Sequence, residues 1–82
     1  LEYARQGIRV NAVCPAFIDT PLLHNAGIVA GTEFYDMIVG LHPVGRMGTS
    51  DEIAESITWL ASAASSFVTG HPMLVDGGYT AR

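Results

Sequence analysis

Two short segments rich in β-branched and apolar residues flank one strongly marked helix, and this order limits the folds open to the chain. Residues 8–14 alternate with the period of two that is typical of a strand, and residues 72–76 form a second short apolar run. Between them, Thr49 and Glu52 have the spacing of a capping box, which predicts a helix over residues 49–66. A strand, a helix and a second strand in this order predict a βαβ unit with two parallel strands.

A sheet of two parallel strands is too small to stand alone. Parallel sheets are normally covered on both faces, and one helix leaves most of this sheet open. The composition is that of a buried interior, with 49% hydrophobic and 15% charged residues in a chain of only 82. We therefore predict an α/β fold in which this βαβ unit forms the edge of a larger doubly wound parallel sheet.

The segments outside this unit carry weaker signals. Residues 1–7 have the pattern of a helix end, because Gly7 stands where a left-handed C-cap is favoured. Residues 15–48 form a long connection, and loops of this length in compact folds are usually lids or binding loops. Within it, Thr32 is a suitable N-cap for one short helix over residues 33–39.

The charge pattern and the single cysteine exclude several classes of protein. The net charge is −4 and the four basic residues are scattered arginines, so we expect no nucleic acid partner. No apolar stretch approaches the roughly 20 residues that cross a bilayer, so we expect no membrane span. Cys14 has no second cysteine and shares no zinc-ligand spacing with a histidine, which favours a reducing, cytoplasmic location and no metal site.

The segment that follows the first strand is where a ligand is expected. In doubly wound sheets, ligands bind outside the carboxyl ends of the strands, which here means residues 15–21. Pro15 and Ala16 leave the backbone accessible to a flat ligand. The Ile18 amide and the Thr20 hydroxyl are suited to hydrogen bonding an amide or a phosphate.

Seven short motifs follow one another across nearly the whole chain. They are Gly7-Ile8-Arg9-Val10-Asn11-Ala12-Val13, Pro15-Ala16-Phe17-Ile18-Asp19-Thr20-Pro21, Pro43-Val44-Gly45-Arg46-Met47-Gly48, Glu52-Ile53-Ala54, Leu60-Ala61-Ser62, Val68-Thr69-Gly70 and Val75-Asp76-Gly77-Gly78. In this order and at these spacings they resemble the C-terminal third of the short-chain dehydrogenase/reductase family.

The resemblance implies a Rossmann-type fold that binds NAD or NADP and transfers hydride between the nicotinamide and a secondary alcohol or ketone. It also implies a nicotinamide-side loop in which two residues lie against the ring and two more hold the carboxamide or a nearby phosphate. These cofactor-binding residues are Pro15, Ala16, Ile18 and Thr20. Ala16 stands where the family usually has glycine, a change that a negative φ would allow.

The substrate and the assembly are also indicated. Phe17, Leu22 and Leu23 are the candidate substrate-binding residues, and they suggest an apolar-walled pocket for a cyclic or hydrophobic alcohol. Members of the family are commonly dimers or tetramers that pair this helix and the last strand. We therefore expect a homodimer or homotetramer, with Trp59 at the interface because it lies off the apolar stripe of its helix.

The chemistry of the family is incomplete in this chain. Its proton-transfer pair is a tyrosine followed four residues later by a lysine, and the chain contains no lysine. Its glycine-rich phosphate turn is also missing. We therefore expect residues 1–82 to be the C-terminal part of one Rossmann domain, with no catalytic residue and no activity alone. The alternative is a non-catalytic binding or scaffold protein of the same family, and a Tyr-x-x-x-Lys pair upstream of Leu1 would decide between the two.

The remaining polar residues receive structural interpretations. Arg46 is expected to pair with Glu52 or another carboxylate near the helix start, and Asp76 to accept hydrogen bonds in a turn before two glycines. The three histidines share no ligand spacing, and His24 is expected at the surface or lining a pocket.

Overall fold

Two short strands from opposite ends of the sequence pair in parallel. In the computed structural model, which describes residues 4–81, β1 (Ala12–Pro15) lies beside β2 (Pro72–Val75). Ala12 is opposite Pro72 and Pro15 is opposite Val75. The predicted parallel pairing is therefore confirmed.

The first strand is displaced from the predicted residues 8–14. It begins only at Ala12 because the backbone N–H of His71 donates to the side chain of Asn11 (2.9 Å), so that no regular ladder forms before Ala12. It continues through Pro15, which was expected to end it. Proline lacks a donor, but among the described residues β1 has only one paired neighbour, so the missing N–H is tolerated.

The long helix starts as predicted and ends early. α3 spans Ser50–Ala61, whereas residues 49–66 were predicted. The hydroxyls of Ser62 and Ser65 both donate to the carbonyl of Trp59 (2.7 and 2.9 Å), at the last turn of the helix. Serine side chains compete in this way with continued helical bonding, and the chain leaves the helix at Ser62.

The connection between β1 and α3 contains two helices. α1 spans Pro21–Asn25 and α2 spans Glu33–Gly40. The predicted helix corresponds to α2, and Thr32 caps it by accepting the N–H of Tyr35 (3.2 Å). α1 was not predicted, although Pro21 at its first position is a recognised start signal.

Three short 3-10 turns complete the secondary structure of the described residues. The turns are Ala4–Gln6, Ala63–Ser65 and Tyr79–Ala81. Residues 1–3 of the predicted helix end lie outside the described residues, but Gly7 has the expected left-handed φ of 80°. The second strand stops at Val75, because the carboxylate of the next residue, Asp76, accepts the backbone N–H of Gly78 in a turn.

Very little apolar surface is enclosed within the chain. The buried hydrophobic side chains of the described residues are Ile38, Met47 and Leu60. The radius of gyration is 15.6 Å, against about 12 Å for a compact domain of this length. No helix within residues 4–81 is long and apolar enough to cross a membrane.

Candidate functional site

The segment that leaves the carboxyl end of β1 is held against the start of α3. We call residues 16–20 the exit segment. The N–H of Gly48 donates to the carbonyl of Phe17 (3.1 Å), and the N–H of Asp19 donates to the carbonyl of Gly48 (2.9 Å). A Cβ at position 48 would lie only 2.8 Å from Cδ1 of Ile18, so a larger residue here would require the Ile18 side chain to shift.

These two bonds fix the direction of the main chain at Ile18. Every described peptide bond is trans, so the N–H and C=O of one peptide point in opposite directions. Because the Phe17 carbonyl points at Gly48, the N–H of Ile18 points away from it. Because the Asp19 N–H also points at Gly48, the carbonyl of Ile18 points away as well. Ile18 therefore presents a donor and an acceptor together on the side opposite α3.

A buried histidine holds the preceding peptide. The N–H of Phe17 donates to Nε2 of His42 (3.4 Å), and Nδ1 of His42 lies 2.9 Å from the carbonyl of Ile38. A carbonyl can only accept, so Nδ1 carries the proton and Nε2 is the acceptor. His42 is only 3% exposed, and its ring is 5.9 Å from that of Phe17 and 5.4 Å from that of Tyr79. Sequence reasoning missed this role, because it considered His42 only as a possible metal ligand.

The hydroxyl of Thr20 is not used to begin the following helix. Thr20 occupies the N-cap position of α1, yet its side chain makes no capping hydrogen bond. Its carbonyl instead accepts the N–H groups of Leu23 and His24 (3.1 and 3.2 Å). Thr20 is therefore fixed through its backbone.

The structure brings some of the predicted site residues together and separates others. Ala16, Phe17 and Ile18 line one small cavity of about 120 Å³, which faces Val75 and Gly77 on the β2 side. Pro15 is exposed at the end of β1 and does not line the cavity. Leu23 is partly buried and Leu22 is 76% exposed, both on α1 and both outside the cavity.

The carboxylate of Asp19 in the exit segment contacts one side chain from α1 and one from α2. Oδ1 of Asp19 is 2.6 Å from Nε2 of His24, and the hydroxyl of Tyr35 donates to Oδ2 (3.4 Å). Partial burial raises the pKa of the Tyr35 phenol, and the Asp19 charge raises it further. His24 lies at the surface, as expected, but its pairing with Asp19 was not predicted.

Two predicted electrostatic contacts are confirmed. Arg46 forms a bidentate ion pair with the carboxylate of Glu52, with both N–O distances at 2.8 Å. The carboxylate of Asp76 accepts the N–H groups of Gly78 and Thr80 (3.0 and 3.1 Å). Hydrogen bonding by Thr80 lowers the pKa of Asp76.

Over residues 4–81, the structure contains no group of three histidine, cysteine, aspartate or glutamate residues that is able to hold a metal ion. Fold and site together define an α/β protein whose candidate ligand site lies at the carboxyl end of a parallel strand, the usual position in doubly wound sheets.

Comparison with known proteins places this α/β chain in one family. A family model described as enoyl-(acyl carrier protein) reductase matches residues 1–80. Cyclohexanol dehydrogenase of Acinetobacter sp. (strain SE19) is 45% identical over 83 aligned positions, which cover 100% of this chain and 30% of the relative. Cis-4-hydroxycyclohexanecarboxylate dehydrogenase of Sinomonas cyclohexanicum is 49% identical over 81 positions, covering 99% of this chain and 31% of the relative. The chain belongs to the short-chain dehydrogenase/reductase family.

Solved structures agree with this assignment. A proposed 2-deoxy-D-gluconate 3-dehydrogenase from Agrobacterium tumefaciens, solved with NADP bound, superposes with a TM-score of 0.88 at 38% identity. The match covers 99% of this chain and 32% of that structure. The chain therefore has the fold of the corresponding Rossmann-type region, and it spans about 30% of the length of the curated relatives that it matches.

Proposed function

We propose that this chain is the C-terminal segment of an NAD- or NADP-dependent oxidoreductase that transfers hydride between the nicotinamide and a secondary alcohol or ketone. The observation that carries the proposal is the main-chain donor and acceptor of Ile18, both directed away from Gly48 at the carboxyl end of β1. A nicotinamide carboxamide has one acceptor oxygen and one donor amide, so it is complementary to this pair.

The other cofactor contacts follow from the same segment. Pro15 and Ala16 lie against the face of the ring, and the Thr20 hydroxyl binds the carboxamide or a nearby phosphate. No described residue other than glycine has a positive φ, so Ala16 meets the condition under which a methyl replaces the family's glycine without strain. The NADP-bound neighbour supports a nicotinamide dinucleotide as the ligand.

The substrate is proposed to be a cyclic or hydrophobic secondary alcohol. Phe17 lies within the proposed nicotinamide loop, and Leu22 and Leu23 follow on α1. In this proposal the three side chains supply the apolar wall of a substrate pocket. Two relatives bear the names of dehydrogenases of cyclohexane-ring alcohols, which supports this substrate class.

The chain contributes binding and enclosure rather than proton transfer. Residues 21–47 form the substrate lid, and a lid excludes water from the reacting carbon. The tyrosine and lysine that move the proton in the family are not supplied by residues 1–82, because the sequence contains no lysine. The isolated chain is therefore expected to show no turnover above a buffer blank.

The proposal is tested at Thr20 in the intact protein. Thr20→Val keeps the shape of the side chain and removes the hydroxyl, so it should weaken cofactor binding by roughly 0.5–1.5 kcal/mol. The dissociation constants for NADH and NADPH are measured by quenching of protein fluorescence. Thr20→Ser, which retains a hydroxyl, is the matched control and should bind close to the unmutated protein. Failure of the intact protein to bind either cofactor would refute the proposed function.

A further inference from the structure

Three peptide groups determine how the exit segment faces a ligand, and one of them is held by a side chain. The Phe17–Ile18 and Ile18–Asp19 peptides are fixed by Gly48. The Ala16–Phe17 peptide is fixed by His42, whose Nε2 accepts the Phe17 N–H at 3.4 Å.

His42 is well suited to hold this peptide in place. It follows the end of α2, and its protonated Nδ1 is bound to the Ile38 carbonyl at 2.9 Å. The ring is buried against Phe17 and Tyr79. Both ring nitrogens are therefore engaged, and a flip of the ring would break the hydrogen bonds to both Phe17 and Ile38. The same imidazole joins the last turn of α2 to the exit segment.

The consequence falls on Ala16. Because the Ala16–Phe17 peptide is trans, the carbonyl of Ala16 points away from His42 when the Phe17 N–H points toward it. Loss of the Nε2 acceptor would leave the Phe17 N–H without this partner and free the peptide to rotate. The Ala16 carbonyl would then lose its fixed orientation, and of the three peptides only the two held by Gly48 would remain fixed.

We propose that His42 is a positioning residue, which holds the exit segment in its cofactor-binding conformation by accepting the Phe17 amide proton at Nε2. This inference rests on the proposed function, since it assigns the exit segment to the nicotinamide. His42 does not touch the cofactor, and acts only through the peptide that it orients.

The test uses two amide variants of the intact protein. The side-chain oxygen of His42→Gln reaches the position of Nε2 and accepts the Phe17 N–H. The shorter His42→Asn reaches only the position of Nδ1, where its amide donates to the Ile38 carbonyl. Both variants lose the aromatic ring, so any effect of packing alone is shared by the pair. His71→Asn, at an exposed histidine, controls for a general effect of the substitution.

Cofactor dissociation constants and amide exchange at Phe17 are measured for each variant. His42→Asn should weaken NADH or NADPH binding roughly 2- to 13-fold, the range for one hydrogen bond, and His42→Gln should restore most of this loss. Exchange of the Phe17 amide, measured without ligand, should accelerate in His42→Asn more than in His42→Gln. The ¹⁵N spectrum of the unmutated protein at neutral pH should show His42 with a proton on Nδ1 and none on Nε2.

Each other outcome overturns part of the argument. Equal weakening in the two amide variants would reduce His42 to a packing residue. If His42→Asn exchanges its Phe17 amide faster but binds the cofactor as tightly as the unmutated protein, the hydrogen bond exists but does not position the exit segment for the cofactor. If the unmutated protein does not bind NADH or NADPH, the proposed function is wrong and the positioning role falls with it. Exchange of the Phe17 amide would still decide whether the hydrogen bond to His42 exists. If both variants fail to fold, a protonated Nε2 in the unmutated protein would by itself refute the inference.

Discussion

Arg9 shows how one side chain joins segments that are far apart in sequence. Its guanidinium donates to the carbonyls of Leu60 (2.7 Å), Ser62 (3.3 Å) and Val68 (3.0 Å). The first two carbonyls lie at the C-terminal end of α3, where a cation is also favoured by the helix dipole. Arg9 thereby ties the approach to β1 to the end of α3.

Replacement of Arg9 should be costly. Arg9→Met removes the charge and every donor, and hydrogen bonds to charged groups contribute about 1.5–3 kcal/mol. We expect a loss of that size in the free energy of unfolding, measured by urea denaturation of the intact protein. Arg9→Lys should be intermediate, because a single ammonium cannot reproduce the fork of the guanidinium. Arg5→Met, at an exposed arginine, is the control, and equal denaturation midpoints for the Arg5 and Arg9 variants would contradict the assignment.

Glu52 makes the start of α3 sensitive to pH. Its carboxylate receives the Arg46 guanidinium and the Thr49 N–H, and these bonds lower its pKa from 4.5 to about 2. A group with a lowered pKa in the folded state stabilises the fold above its unfolded pKa, and this stabilisation is lost as the pH falls through the folded pKa. The contribution of Glu52 should therefore be present above about pH 4.5 and disappear between pH 4.5 and 2.

Thermal unfolding of Glu52→Gln between pH 7 and pH 2 tests this assignment. Glutamine can still accept the Thr49 N–H, so the variant removes mainly the charge that attracts Arg46. The difference in Tm between the unmutated protein and Glu52→Gln should be positive at pH 7 and shrink toward zero at pH 2. Glu55→Gln, on the same helix, should show no such convergence, because Glu55 forms no ion pair within the described chain. A difference in Tm for Glu52→Gln that does not depend on pH would refute the lowered pKa.

At the scale of elements, local signals were readable from sequence and tertiary ones were not. The capping box of α3 and the Thr32 cap of α2 depend on residues three apart, and both were predicted and are present. The early end of α3 depends on the hydroxyls of Ser62 and Ser65, which donate to the carbonyl of Trp59. Such side-chain hydrogen bonds compete closely with continuation of the helix, so sequence alone does not decide between the two. The delayed start of β1 depends on a contact between Asn11 and His71, which no local pattern reveals.

The candidate site divides in the same way. The position of the exit segment at the end of a parallel strand followed from the order of elements and is observed. The roles of His42 and Tyr35 were missed, because each depends on α2 folding back onto the segment after β1. A histidine between a helix end and a proline carries no sequence signal for an acceptor on a distant backbone amide.

The two helices of the proposed lid, α1 and α2, are weakly anchored, which leads to a prediction about the mobility of this segment. No residue of α1 is buried, and α2 buries only Ile38. Few buried contacts give a segment low local stability. Adding cofactor and substrate to the intact protein should therefore slow hydrogen exchange across residues 22–40, with little change across residues 50–60 of α3. Equal protection of residues 22–40 with and without ligands would refute the lid.

At the scale of the whole molecule, large apolar side chains of α3 and β2 remain exposed. Trp59 is 42% exposed and Ile57 is 53% exposed on α3, while Leu74 on β2 is 57% exposed. Uncovered apolar strand edges promote aggregation, and aromatic residues are enriched at the centre of protein interfaces. The expected homodimer or homotetramer would bury Trp59 about a two-fold axis, so that this side chain meets the same region of a second copy.

Trp59→Glu in the intact protein tests this assembly. A carboxylate at the centre of an apolar interface loses its hydration without gaining a partner, so the variant should sediment as smaller species than the unmutated protein in analytical ultracentrifugation. Phe34→Glu makes the same kind of change at an exposed aromatic residue on α2, outside the expected interface elements α3 and β2, and should leave the assembly intact. Trp59→Phe, which keeps an apolar ring, should also preserve it. The interface prediction fails if the unmutated protein is already a monomer at micromolar concentration, or if Trp59→Glu sediments with it.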